Sequence, residues 1–164
     1  MVGTASSYQT KFYEDTKTLI KRKGKNYNIA LDYPNRFIYP KEPVKSLKGP
    51  QSFYLRPLYY WDPVAFGDID TWPCYKCGST NTGPDGFSPK GIREVMDLNE
   101  NYYLMCKQHK CNACDTTFIG STDEARAVLP PHVQGLFPCV LYEKGAIDLK
   151  VCKLLFIVCN IDTH

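Results

Sequence analysis

Two pairs of cysteines, Cys74-Tyr75-Lys76-Cys77-Gly78 and Cys111-Asn112-Ala113-Cys114-Asp115, constrain this chain more than any other feature. Two intervening residues let one tight turn aim both thiols at the same tetrahedral ion, and two such turns facing each other supply four sulfur ligands. The 33 residues between Cys77 and Cys111 leave room for strands and a loop before the second turn. A single pair of this spacing also fits a redox dithiol, but such a dithiol sits at a helix N-terminus after a strand. Here Cys77 runs instead into a Gly- and Pro-rich stretch, residues 78–86, which predicts turns and loop. The pattern predicts one structural Zn²⁺ on Cys74, Cys77, Cys111 and Cys114, the arrangement of a zinc ribbon. Four thiolates close the coordination sphere and leave no position for water or substrate. The ion's work would be folding, with an apparent worth of roughly 10–16 kcal/mol.

At 164 residues the chain makes about one domain with a moderate core. Aromatics reach 13%, with twelve tyrosines and twelve prolines, which suits short strands and rigid loops better than long helices. No apolar run approaches the roughly 18 residues of a membrane span. The first residues lack the apolar centre of a secretory signal, and four of the eight cysteines stand in metal spacing. A reducing, intracellular compartment is therefore expected over a secreted disulfide scaffold.

The net charge of +3 is unevenly spread. Residues 1–50 carry ten Lys/Arg against four Asp/Glu, whereas residues 72–120 are balanced at five against five. The prolines at 34, 40, 43 and 50 predict an extended N-terminal arm over residues 1–50. Within it, Lys21, Arg22, Lys23 and Lys25 form a compact basic run that reads as a solvated segment, a set of phosphate contacts on DNA or RNA, or a nuclear-import signal.

Residues 51–72 hold a dense aromatic stretch that includes Tyr59, Tyr60, Trp61 and Trp72. With Arg56 the lone basic residue there, the stretch reads as core rather than as a base-stacking platform. Asp62, Asp68 and Asp70 could hold Mg²⁺, but their Trp-Asp-Pro and Gly-Asp-Ile-Asp contexts point to turns. Residues 102–107 and 116–120 read as strands beside the second cysteine pair. Cys106 falls inside the first of these as a small core residue, and His109, between lysines, reads as a solvated side chain. Cys139, Cys152 and Cys159 lack metal spacing and read as buried helix or loop thiols. No phosphate loop, nucleophile elbow or HExxH occurs, so no catalysis is expected.

From Thr122 onward a helical segment is expected: a short helix over 123–128, a second element over 132–137, and a helix over 146–159. The last is apolar all round at 154–159, which predicts burial against this domain, another chain, or a missing C-terminal region of a longer protein. Residues 151–159 are thus a candidate docking surface, and the chain reads as a fragment.

Tyr59-Tyr60-Trp61-Asp62-Pro63, the two cysteine pairs, residues 93–98, Tyr102-Tyr103-Leu104, Thr117-Phe118, Leu129-Pro130 and Phe137-Pro138 together resemble an uncharacterised eukaryotic zinc-ribbon-like domain family. The likeness covers about residues 53–150, and the family occurs in transposon-derived fungal and animal proteins. The resemblance implies zinc on the cysteine pairs and a place ahead of further, sometimes nuclease-like regions. The reading is an α+β chain: a basic arm over 1–50, an aromatic-rich zinc-ribbon β-hairpin core over 51–122 and a helical segment over 123–164. Its expected role is nucleic-acid binding in the nucleus; the alternative is the structural or protein-interaction N-terminal part of a larger enzyme.

Overall fold

The computed structural model describes residues 6–24, 27–40 and 55–161, with the side chains of 158–161 outside the description. In chain order these form α1 (Ser7–Lys23), α2 (Ile29–Asp32), β1 (Phe37–Ile38), β2 (Leu58–Trp61), β3 (Thr82–Phe87), β4 (Arg93–Met96) and β5 (Tyr102–Cys111). There follow β6 (Thr117–Ile119), α3 (Asp123–Ala127), α4 (Pro131–Gln134), β7 (Cys139–Tyr142), β8 (Gly145–Asp148) and α5 (Leu149–Ile161).

The ten-residue β5 is the spine of a mixed sheet of order β1-β2-β5-β4-β8-β7. Its first half pairs parallel to β2, Leu58 opposite Tyr103 through Trp61 opposite Cys106, and antiparallel to β4, Arg93 opposite Leu104. Its second half pairs antiparallel with β3, Thr82 opposite Cys111, and with β6, His109 opposite Phe118. One strand therefore carries two sets of neighbours and ends on a cysteine of the second pair.

Alternation along β5 divides the core. Tyr102, Leu104 and Cys106 join Tyr59, Trp61 and Val95 under the α3–α4 segment, which contributes Ala125, Leu129, Val133 and Phe137. Tyr103 and Met105 point the other way and meet Leu58, Tyr60, Tyr13 of α1 and Ile29 of α2. The aromatic stretch is core, as its composition predicts: Leu58, Trp61 and Trp72 are fully buried. Phe53 and Tyr54 lie outside the described residues.

The N-terminal segment corrects the expectation of an extended arm. Residues 7–23 are helical, and the prolines that suggested extension all lie beyond residue 33. Ser6 caps the helix by accepting from Gln9 N–H at 3.2 Å, and Gly24 ends it at φ 77°. Its buried residues are Gln9, Tyr13 and Thr16, a helical stripe in which two of three members are polar. Gln9 works as a clamp: its amide donates to Arg56 O (3.0 Å) and accepts from Arg56 N–H (2.8 Å), fastening α1 to the chain entering β2. The boundary placed at residue 50 falls outside the described residues.

Two further expectations are corrected. Residues 82–87 form a strand despite Gly83, Pro84 and Gly86, because β3 pairs on one side alone and breaks register between Pro84 and Phe87, where a missing N–H and a φ of 83° at Gly86 are tolerated. Residues 146–148 belong to β8, and the expected helix starts at Leu149. There the buried Asp148 accepts from Lys150 N–H (2.8 Å) and from the Tyr102 hydroxyl (2.7 Å). No helix of the described residues is long and apolar enough to cross a membrane.

Candidate metal centre

The two Cys-x-x-Cys turns are built alike. In the first, Gly78 N–H donates to Cys74 O (2.8 Å) and Cys74 N–H to Ser79 O (2.9 Å); in the second, Cys111 N–H donates to Thr116 O (2.9 Å). Each turn closes on a left-handed residue directly after its second thiol, Gly78 at φ 72° and Asp115 at φ 58°. Glycine and aspartate are residue types that tolerate that conformation, so both turns are legible in sequence. Asn112 binds the turns together, its backbone N–H reaching Asn81 O (2.9 Å) and its side-chain amide Asn81 Oδ1 (3.1 Å).

These turns bring the four predicted cysteines together. Cys74 Sγ lies 3.6 Å from Cys114 Sγ and Cys77 Sγ 3.7 Å from Cys111 Sγ, and all four sulfurs lie within 4.8 Å of one another. A tetrahedral ion with bonds of about 2.3 Å holds its sulfurs about 3.8 Å apart, so the group has the dimensions of a metal cage. It is far wider than the roughly 2.05 Å of a disulfide. Cys74 and Cys111 are fully buried, Cys114 half-buried and Cys77 exposed. The four can hold a metal ion, and among the described residues no other such group of His, Cys, Asp and Glu occurs.

The electrostatics favour a cation in the middle. The Thr116 hydroxyl, 3.1 Å from Cys114 Sγ, together with the Thr116 backbone N–H, pulls the Cys114 thiol down to about 6, so this sulfur ionises readily. The Ser79 backbone N–H draws Cys77 the same way, yet Cys114, loss of solvation, Cys111 and Cys74 together push it up to about 12. One thiolate forms easily and the next is opposed by the first, an opposition that a divalent cation removes. Lys110, next to Cys111 in sequence, is paired with Asp115 at 2.8 Å.

His109 corrects the expectation of a solvated side chain. It is 2% exposed, stacked on Phe118 (centroids 5.8 Å apart) and packed on Trp72 (5.1 Å), with Nε2 3.6 Å from Asp62 Oδ1. It is no member of the sulfur group. The aspartates behave as turn residues. Asp62 accepts from the Tyr60 hydroxyl (3.0 Å) and from Ala65 N–H (3.4 Å), and Asp68 pairs with Arg36 (2.5 Å). Cys106 is a buried core thiol, and Cys139 is buried in a strand rather than in helix or loop.

The basic run lies elsewhere. Lys21, Arg22 and Lys23 form the exposed last turn of α1, where positive charge complements the helix C-terminus. Lys23 is engaged by Asp32 (2.8 Å) and lies over the Tyr27 ring (4.2 Å), while Lys25 lies outside the described residues.

No curated protein and no solved structure matches the chain. One family model does, from residue 9 within α1 to residue 157 within α5, a span that takes in both sheet faces and the sulfur group. The chain belongs to that family, a domain of unknown function (DUF6729).

Proposed function

We propose that Cys74, Cys77, Cys111 and Cys114 hold one structural Zn²⁺, and that β3, β5 and β6 with their two turns are a zinc ribbon set into a larger α+β domain. The observation that carries this is the sulfur group itself, four thiols from two separate turns within 4.8 Å. Closed tetrahedral sulfur favours zinc among the common ions and leaves no open position for catalysis. The domain thus acts as a binding module without chemistry of its own. Native mass spectrometry of the purified chain tests it: one zinc per molecule, lost to a chelator together with ordered structure, is expected. A folded, reduced protein without zinc overturns it.

The partner we propose is DNA or RNA, engaged by the exposed end of α1. Lys21 and Arg22 are the cations there outside any ion pair among the described residues, and Lys25 follows them in sequence. The setting in the same reading is the nucleus and a mobile-element-derived protein, as the resemblance implies. Binding should weaken steeply with salt, and the Lys21→Ala, Arg22→Ala double variant should lower the slope of log affinity against log salt by about two. An unchanged slope removes α1 from the interface. A second reading, docking on another protein or on a further region of a longer chain, is favoured by α5: Leu154, Leu155 and Ile157 are 45%, 54% and 55% exposed. Self-association or poor solubility relieved by Leu155→Lys supports this second reading, and a monomer indifferent to the change counts against it.

A further inference from the structure

Away from the sulfur group, a cavity of about 370 Å³ opens between the β3–β4 connection, the bend before α3 and the tip of the β7–β8 hairpin. Its floor is Leu104 and Cys106 of β5, both buried, and the half-buried Ile119 and Leu141 line its sides. The walls are held in place by hydrogen bonds. Ser88 N–H donates to Cys106 O (2.9 Å), tying the connection to β5, and Gly91 N–H turns back to Ser88 O (3.1 Å). Arg93 Nη1 donates to Tyr142 O (2.7 Å) and Gly145 O (3.3 Å), fixing the hairpin tip against β4.

Three cations line this space, Lys90, Arg93 and Lys144, and none of them forms an ion pair among the described residues. Two carboxylates also line it. Glu94 is engaged by the Asn101 amide (3.2 Å), and Glu143 sits exposed at the hairpin tip. Ser121 and Thr122 close the α3 side, where the Thr122 hydroxyl donates to Ile119 O (3.1 Å). An apolar floor under unpaired positive charge, in a volume within the usual range for small-ligand sites, has an evident complement. We infer that this cavity binds a small amphiphilic organic anion, its hydrocarbon part against Leu104, Ile119 and Leu141 and its carboxylate or phosphate among Lys90, Arg93 and Lys144.

Titration of the ¹⁵N-labelled chain, followed by two-dimensional NMR, tests this with octanoate, octyl phosphate, octan-1-ol and inorganic phosphate. Both octyl anions should shift amides within 88–94, 119–122 and 141–145, and the Lys90→Glu, Lys144→Glu double variant should bind them about tenfold more weakly. Both lysines are exposed, and the variant's spectrum reports its fold directly. Octan-1-ol binding as well as octanoate would remove the anion from the proposal, and inorganic phosphate matching octyl phosphate would remove the hydrocarbon. Shifts confined to other residues, or an unaffected double variant, overturn it outright. Octanoate binding alone, or octyl phosphate alone, supports the site and identifies the head group it takes.

Discussion

The two halves of β5 share one backbone yet are stabilised by different means. Residues 102–106 are buried on both faces, between the α3–α4 segment and the α1–α2 pair. Residues 107–111 run beyond that cover: Lys107, Gln108 and Lys110 are half-exposed, and His109 and Cys111 alone are buried. The first half has ordinary hydrophobic burial at roughly 1.5–3 kcal/mol for each large side chain. The second half has two tight turns, an aromatic pair and four converging sulfurs. A sheet extended past its helical layers has fewer apolar partners, and a metal held by the four sulfurs, as proposed above, would be a compact substitute.

Removing the ion should separate the halves most sharply. With the zinc proposed above, chelation or Cys111→Ser should abolish hydrogen-exchange protection in residues 82–87, 107–111 and 117–119. Protection in 58–61, 93–96 and 102–106 should persist. The apparent worth of such a site, roughly 10–16 kcal/mol, exceeds anything the uncovered half can supply by packing. Protection lost throughout would show that the halves fold as one unit, and protection kept throughout would show that the sulfurs hold nothing.

Trp61→Ala is the converse test, aimed at the covered half. Trp61 is fully buried, pairs with Cys106 across the sheet, and packs edge-on against Trp72 (6.2 Å) and Phe137 (5.1 Å). Its indole N–H donates to Gly120 O (2.8 Å). A Cβ at Gly120 would stand 2.8 Å from the Trp72 ring, so glycine is what lets that indole lie against this backbone. The cost should be about 3–5 kcal/mol of global stability in urea denaturation, with the metal content of the folded fraction unchanged. Loss of metal from the folded protein would mean that Trp72, which also touches His109 and Phe118, transmits the damage to the tip.

The uncovered half was the more legible in sequence. Spacing alone named all four sulfurs, and the residue after each pair carried the conformation its turn needs. The covered half was legible as aromatic core but not as a layered sheet. Helix α1 escaped because its buried stripe is Gln9, Tyr13 and Thr16, and a polar residue that grips a distant backbone leaves no hydrophobic period. The β7–β8 hairpin escaped because residues 146–148 run without a break into the apolar helix that follows. His109 was misread because flanking lysines suggested solvent. Strand parity puts it on the face of the buried Cys111, two residues away, while Lys110 points to the opposite face.

The clamp between α1 and β2 sharpens the account of the covered half at smaller cost. Gln9→Ala leaves Arg56 N–H and C=O without their partners and should destabilise by about 1–3 kcal/mol. Exchange should rise first in α1 and at residues 55–58, with 107–111 unaffected. A variant as stable as the parent would show that the apolar contacts of Phe12, Tyr13 and Ile20 suffice to keep α1 on the sheet.

The smallest effect distinguishes the halves by pH. Tyr59 is 7% exposed, its hydroxyl donates to Leu136 O (2.7 Å), and burial pushes it up to about 12. In the unfolded chain it titrates near 10. Above about pH 10 the unfolded state therefore loses a proton that the folded state keeps, and stability falls as pH rises. Below that window Tyr59 contributes no pH dependence. Tyr102 is raised in the same direction by burial and by its bond to Asp148, so the whole covered half weakens toward alkali. Tyr59→Phe leaves Leu136 O unpartnered and should cost about 1 kcal/mol near neutrality. The gap from the parent should then narrow as urea denaturation is moved from about pH 8 to about pH 11, because the variant has one fewer proton to lose. A constant gap would mean that Tyr59 titrates alike in both states. The tip should fail at the other end of the scale, since thiolates release a metal as they take up protons. Acid should thus open residues 107–111 before 102–106, and alkali should strain 102–106 first.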